Sequence, residues 1–168
     1  MKLAQALPLA EDALNALKPY CERILIAGSI RRQRPEVKDI ELVVIPRMVP
    51  AGLFHDELEV DPDFCGTVNR WHKVKGEPTG KYTQRVLPGG MALDLFIANP
   101  DNWGWILALR TGSSDFNQKV LLHAMHQQGY SSDGGTLLRY GKVIPTSEEV
   151  DVFRLLKLPW VEPWAREV

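Results

Sequence analysis

Arg23-Ile24-Leu25-Ile26-Ala27-Gly28-Ser29-Ile30-Arg31-Arg32, followed after six residues by Asp39-Ile40-Glu41-Leu42-Val43-Val44-Ile45, is the stretch on which the fold turns. Arg23 to Ala27 is a short apolar run and reads as a buried strand. Gly28-Ser29 breaks it, and a short helix carrying Arg31 and Arg32 follows. Asp39 to Ile45 reads as a second strand, rich in β-branched residues and ended by Pro46 and Pro50. Side chains at i and i+2 of a strand share a face, so Asp39 and Glu41 project together and Ile40 points the other way. Two adjacent carboxylates repel, so a compensating cation is expected: Lys38, or better a divalent metal. Oxygen donors of this kind select Mg²⁺ or Mn²⁺. Taken alone, Asp-x-Glu is common by chance and reads as an exposed strand edge with alternating charge.

Working outward, Gly28-Ser29 at a strand end presents backbone N–H groups that suit phosphate oxygens, and Arg31 and Arg32 would add charge-assisted bonds to a triphosphate. By itself this stretch also reads as a helix capped by Ser29 with two surface arginines. A third carboxylate, Asp94, is the single charge inside the apolar run Met91-Ala92-Leu93-Asp94-Leu95-Phe96-Ile97. A buried, unpaired carboxylate is costly, so Asp94 is expected to be paired, metal-bound or on the wet face of the sheet. A metal ligand and a satisfied structural aspartate fit it equally well.

The rest of the chain reads as a helix over Leu9 to Tyr20, strands over Val68 to Lys75 and Tyr82 to Leu87 joined by a Gly/Pro turn, and a strand over Met91 to Ala98. Helices follow from Pro100-Asp101 through Leu109, over Asp115 to Gln128, and from Ser147 to Leu156, with short strands and turns after Tyr130. The acidic run Asp56, Glu57, Glu59, Asp61, Asp63 reads as a solvated face. The order predicts an α+β domain with a mixed or antiparallel-rich sheet and a smaller C-terminal part. Arg70, Lys73, Lys75, Lys81 and Arg85, with Trp71 and Tyr82 interleaved, make a basic hairpin between the two carboxylate strands. It fits a nucleic-acid surface and an ordinary solvated hairpin alike. His55, His72, His123 and His126 show no metal-ligand spacing. Trp103, Trp105, Trp160 and Trp164 read as packing residues.

The 168 residues, 45% apolar and 24% charged, describe one soluble globular domain with at most a small appendage. A net charge of −1 lends no support to a nucleic-acid partner, so one would be held by a local patch, weakly and with strong salt dependence. Two separated cysteines, Cys21 and Cys65, fit a reducing cytoplasm. The N-terminus is a poor signal peptide, and no apolar run approaches the about 20 residues that span a bilayer, so no membrane partner is expected.

A Gly-Ser turn ten residues before a carboxylate pair, with a third carboxylate on a later strand, resembles the nucleotidyltransferase superfamily of DNA polymerase β. Thr111-Gly112-Ser113-Ser114-Asp115-Phe116-Asn117 is similar to the Thr-Gly-Ser-x-x-Phe-Asn segment of family X DNA polymerases at the junction of palm and thumb. Ile144-Pro145, Ser147-Glu148-Glu149, Val152-Phe153 and Glu162-Pro163 resemble the end of that thumb. The resemblance implies a nucleotidyltransferase palm over residues 1–108, a mixed sheet flanked by helices, and a thumb-like subdomain over 109–168. It implies metal-dependent transfer of a nucleotide from a nucleoside triphosphate to a 3′-hydroxyl of nucleic acid, with release of pyrophosphate. Asp39, Glu41 and Asp94 would hold two Mg²⁺ ions, or Mn²⁺. Gly28, Ser29 and Arg32 would hold the triphosphate, Gly112 and Ser113 the sugar, and Asn117 would approach the base. Other acceptors, namely RNA ends or a small-molecule or protein hydroxyl, stay open, as does a silent nucleotide- or DNA-binding module. Three positions depart from the family: Glu41 stands for the usual Asp, Leu109-Arg110 for an aromatic pair, and Ala92 for a frequent Arg. The stretch before the first strand is too short for a gap-binding domain, so a minimal, monomeric, cytoplasmic palm-and-thumb form is expected.

Overall fold

The computed structural model describes residues 1–52 and 57–168. His55 and Asp56 of the sequence reading lie outside the described residues. The central feature is a five-stranded mixed sheet in the order β1-β2-β7-β6-β5. Its strands are β1 (Cys21–Ile26), β2 (Asp39–Pro46), β5 (His72–Lys75), β6 (Tyr82–Val86) and β7 (Ala92–Ile97). β2 and β7 run parallel, and the other pairs are antiparallel. A parallel pair requires a long crossover. Here it comprises a small hairpin of β3 (Met48–Ala51) and β4 (Glu57–Val60), helix α3 (Pro62–Val68), β5 and β6.

The two faces of β2 and β7 have different covers. Ile40, Leu42, Val44, Leu93 and Leu95 pack against helix α1 (Leu3–Leu17) and against Phe64 and Val68 of α3. α1 presents Ala6, Ala10, Ala13 and Leu17 at helical spacing, all buried. The three alanines let the helix lie close to the sheet, and burying Leu17 contributes about 2 kcal/mol. This stripe explains a correction: the helix expected from Leu9 starts at Leu3 and continues through Pro8. Proline removes one backbone hydrogen bond, and the buried stripe on both sides of it offsets that loss. Glu11 and Asp12 are consequently exposed mid-helix residues, not first-turn acids.

Over the opposite face, Val43, Ile45 and Ala98 pack against Trp103 and Leu107 of helix α4 (Trp103–Thr111). The same helix turns Trp105 and Ala108 into a second cluster with Phe116, Leu121, Leu137, Val152 and Phe153. α4 therefore serves both layers, and the 108/109 boundary of the sequence reading falls inside it. Beyond α4 come α5 (Ser114–Phe116), a π-helical turn (Asn117–Leu122), α6 (His123–Gln127), a small antiparallel sheet of β8 (Ser131–Asp133), β9 (Thr136–Arg139) and β10 (Lys142–Val143), and α7 (Glu149–Leu155).

Three further expectations change. The strand expected over Val68 to Lys75 begins only at His72, because α3 reaches Val68; Pro62 opens that helix and Asp61 caps it, accepting from Asp63 N at 2.9 Å. β1 lies at the edge of the sheet and leaves Leu25 exposed, so it is half-buried and not a core strand. α7 is capped by Glu148, which exchanges backbone and side-chain hydrogen bonds with Asp151, while Ser147 lies outside the helix. Trp103 and Trp105 are fully buried, and Trp160 packs on the Phe153 ring while staying partly exposed, as expected of packing residues; Trp164 is more than half exposed. Among the described residues no helix is long and apolar enough to cross a membrane.

Candidate active site

The β2–β7 register sets Glu41 beside Asp94 and Asp39 beside Ala92. Partners in register share a face, so Asp39, Glu41 and Asp94 project to the same side of the sheet. It is the α4 side. The helix covers Val43 and Ile45 farther along β2 and leaves the carboxylate end uncovered. Asp94 is nearly buried and is fixed through one oxygen: Tyr82 Oη donates to Oδ1 at 2.6 Å, and Gln84 Nε2 donates to the same atom at 2.9 Å. Both donors come from β6, where Gln84 pairs with Asp94 in register. The period-2 alternation of Tyr82 and Gln84 carried this signal, and sequence reasoning did not use it.

Glu41 lies over the turn that leads into helix α2 (Gly28–Arg31). Gly28 has φ +60°, and a Cβ there would collide with Glu41 Oε2. Glycine is thus needed at this position both for its backbone and for the space that the glutamate occupies. Glu41 is squeezed electrostatically too. Burial, then the charge of Asp39, pushes its pKa up to about 7, and Arg110 and Arg32 only partly oppose this. Asp39 is also raised, by burial first and by Asp94 second. Tyr82 is raised by burial and by its bond to Asp94. Three carboxylates share one half-buried face, and they lack positive charge.

The arginines of α2 do not supply it freely. Arg31 forms a two-bond pair with Glu149 (2.9 and 2.8 Å) and donates to Thr111 Oγ1 at 2.6 Å. Glu149 also accepts from the fully buried Arg166. Arg32 donates to Thr111 O at 2.7 Å and to Glu167 at 2.5 Å. The Thr-Gly-Ser segment is therefore gripped by both arginines. Its other residues have structural duties. A Cβ on Gly112 would collide with Asn117 Oδ1, Ser113 Oγ caps α5 by accepting from Phe116 N at 3.1 Å, and Asn117 Nδ2 donates to Leu109 O at 2.7 Å. Two polar atoms beside this junction stay buried without a partner, Ser29 Oγ and Asn117 Oδ1.

The basic hairpin is divided between two faces of the sheet. Arg85 is 0% exposed and donates to Thr83 Oγ1 at 2.6 Å and to Asn69 Oδ1 at 3.1 Å, so it does not belong to any surface patch. Lys73 pairs with Arg85 in register and binds Glu77. Lys75 pairs with Gln84 on the carboxylate face, 5.1 Å from the Tyr82 ring. Arg70 is exposed in the turn before β5, and Trp71 packs against the main core. Lys81 lines a cleft of about 820 Å³ with Tyr82, Phe96, Arg110 and the Gly134-Gly135 turn. Arg110, the departure from an aromatic, lies over Phe96 with its Cζ 4.0 Å from the ring centroid. The exposed His123 and His126 lie away from these groups, on α6.

The donor set suits a hard divalent cation: oxygen ligands only, on one face, with a charge excess that a cation would relieve. As placed, no group of three or more His, Cys, Asp or Glu side chains among the described residues is arranged to hold a metal ion. Fold and site together define a mixed α/β sheet with an acidic face, joined through α4 to a helical C-terminal part. That second part has a recognised likeness: residues 106–167 match the family of the DNA polymerase beta thumb. Comparison with curated proteins gives no match.

Proposed function

We propose that this chain is a metal-dependent nucleotidyltransferase that moves a nucleotide from a (deoxy)nucleoside triphosphate to a 3′-hydroxyl of nucleic acid. The observation that carries this reading is the set Asp39, Glu41 and Asp94 on one sheet face, with Glu41 raised to about 7 by burial first and by the charge of Asp39 second. The match of residues 106–167 to the DNA polymerase beta thumb supports nucleic acid as the acceptor. In this reading residues 1–108 form a palm and 109–168 a thumb-like subdomain.

Asp39, Glu41 and Asp94 would hold Mg²⁺ or Mn²⁺, which supplies a lowered pKa at the attacking hydroxyl and charge neutralisation at the departing pyrophosphate. The chain's own groups do the rest. Tyr82 and Gln84 hold Asp94 through Oδ1 and leave Oδ2 for the ligand side. Gly28, Ser29 and Arg32 would hold the triphosphate; Ser29 Oγ is buried without a hydrogen-bond partner beside the Gly28 turn. Lys81 and Arg110, which line the cleft, and Lys75, over the Tyr82 ring, would receive nucleic-acid phosphates.

The test is incorporation of labelled dNTPs and NTPs on single-stranded, nicked and one-nucleotide-gapped DNA with Mg²⁺ or Mn²⁺, with Asp39→Ala as blank. Incorporation that requires Asp39 supports the reading; none from a folded protein sinks it. The position of Glu41 against Gly28 favours one second reading, a silent nucleotide-binding module. Nucleotide binding without turnover, with turnover appearing in Glu41→Asp, would select it.

A further inference from the structure

Arg32 is the cation that the proposed function gives to the triphosphate, and the fold has already filled it. Its Nε donates to Glu167 Oε1 at 2.5 Å, and its Nη1 donates to Thr111 O at 2.7 Å. The Arg32 side chain is only 14% exposed, so little room is left for a second anion. Its charge acts on both Asp39 and Glu41, which places the pair beside the carboxylate face.

The segment carrying Glu167 is pinned up to the residue before it. Arg166 is buried, binds Glu149 and Val161 O, and accepts from Ser113 N through its own carbonyl at 3.1 Å. The Glu167 side chain lies beyond this anchor and can move without disturbing it. A second seat is ready: Arg34 Nε lies 3.6 Å from the same Glu167 oxygen, and Arg34 is half exposed.

We propose that Glu167 is an autoinhibitory stand-in for a nucleotide phosphate, holding Arg32 when the site is empty and moving to Arg34 when a triphosphate takes its place. The inference rests on the reading of Arg32 as a triphosphate ligand. A site competent only part of the time binds with an affinity reduced by that fraction. An ion pair of this exposure is worth up to about 1 kcal/mol, which corresponds to about a fivefold change in Kd.

The experiment is calorimetric titration of a deoxynucleoside triphosphate with Mg²⁺, without nucleic acid, into the full chain and its Glu167→Gln, Arg34→Ala, Arg32→Ala and Arg32→Ala/Glu167→Gln forms. Thermal melts confirm that each is folded. The expected result is about fivefold tighter binding for Glu167→Gln, weaker binding for Arg34→Ala, and no gain from Glu167→Gln once Arg32 is gone. Unchanged affinity in Glu167→Gln, with binding still weakened by Arg32→Ala, overturns the stand-in and leaves Arg32 as a triphosphate ligand. A gain that persists without Arg32 also overturns it, because the effect is then general charge. Unchanged affinity in Arg32→Ala itself removes Arg32 from the nucleotide site, a separate failure.

Discussion

Glu41 and Glu149 are both glutamates taken largely out of water, and the protein treats them in opposite ways. Glu149 is 6% exposed and accepts from Arg31 and Arg166. Burial works against its charge, but those hydrogen bonds outweigh burial and its pKa is lowered. Glu41 has Asp39 and Asp94 as neighbours, and its pKa rises to about 7. A buried carboxylate with two guanidiniums is a closed structural joint, here between α2, α7 and the segment that carries Arg166. One that faces other carboxylates is unfinished and suits a ligand that brings positive charge.

The largest expected effect sharpens the open side of this contrast. Asp39→Ala should lower turnover on the order of a thousandfold or more while leaving the melting temperature level or higher, since it removes a repelling charge. Rate and melting curve measured on the same sample check it. A drop in stability with the loss of rate would mean that Asp39 belongs to the architecture.

Next comes the closed side. Glu149→Gln leaves Arg31 and the fully buried Arg166 without their shared anion. Breaking one side of a buried pair typically costs about 3–5 kcal/mol, so urea unfolding should show a loss of that order. A loss under about 1 kcal/mol would show that Glu149 is no more structural than a surface charge.

Sequence reasoning reached one glutamate and missed the other, for a physical reason. Asp39, Glu41 and Asp94 are close in space because of strand periodicity and one parallel pairing, and periodicity is written in the residues themselves. Glu149 meets Arg31 across 118 positions, a contact that only packing creates. Arg85 failed likewise: that it shares a face with Thr83 follows from strand periodicity, but not that this face of β6 would be covered. The helix start at Leu9 was also misplaced, because the alanine stripe of α1 continues on both sides of Pro8. Gly112, Ser113 and Asn117 were legible as a motif, while their mutual hydrogen bonds and close contacts came only with the fold.

A third prediction follows the pH. Between the ordinary value of 4.5 and about 7, folded chains keep a proton on Glu41 that unfolded chains have released. The unfolded state then binds fewer protons, so Glu41 lowers stability as pH rises through this window, with no further change above about 7. The full shift corresponds to about 3 kcal/mol, reduced to roughly 1–2 by partial exposure. Glu41→Gln should therefore be more stable than the parent at pH 8 and nearly equal at pH 4.5, and thermal unfolding across that range would show it. Mg²⁺ should stabilise the parent at pH 8 and much less at pH 6, where it competes with the proton.

The smallest effect concerns Arg110, whose charge is the leading opposing influence on Glu41. Its guanidinium rests on Phe96 and is exposed, so removing it should cost less than about 1 kcal/mol of stability. Without it, ionised Glu41 has less support, and Glu41 should titrate higher. Arg110→Ala should therefore raise the pH at which Mg²⁺ begins to stabilise the fold. Arg110→Lys, which keeps the charge but loses the guanidinium over Phe96, should recover part of that shift. If neither substitution moves the Mg²⁺ onset, Arg110 does not offset the carboxylate face. Glu41 would then have Arg32 alone as an opposing cation, without the two direct guanidinium hydrogen bonds of Glu149, and a metal would have to provide most of the compensation that Arg31 and Arg166 provide at the joint.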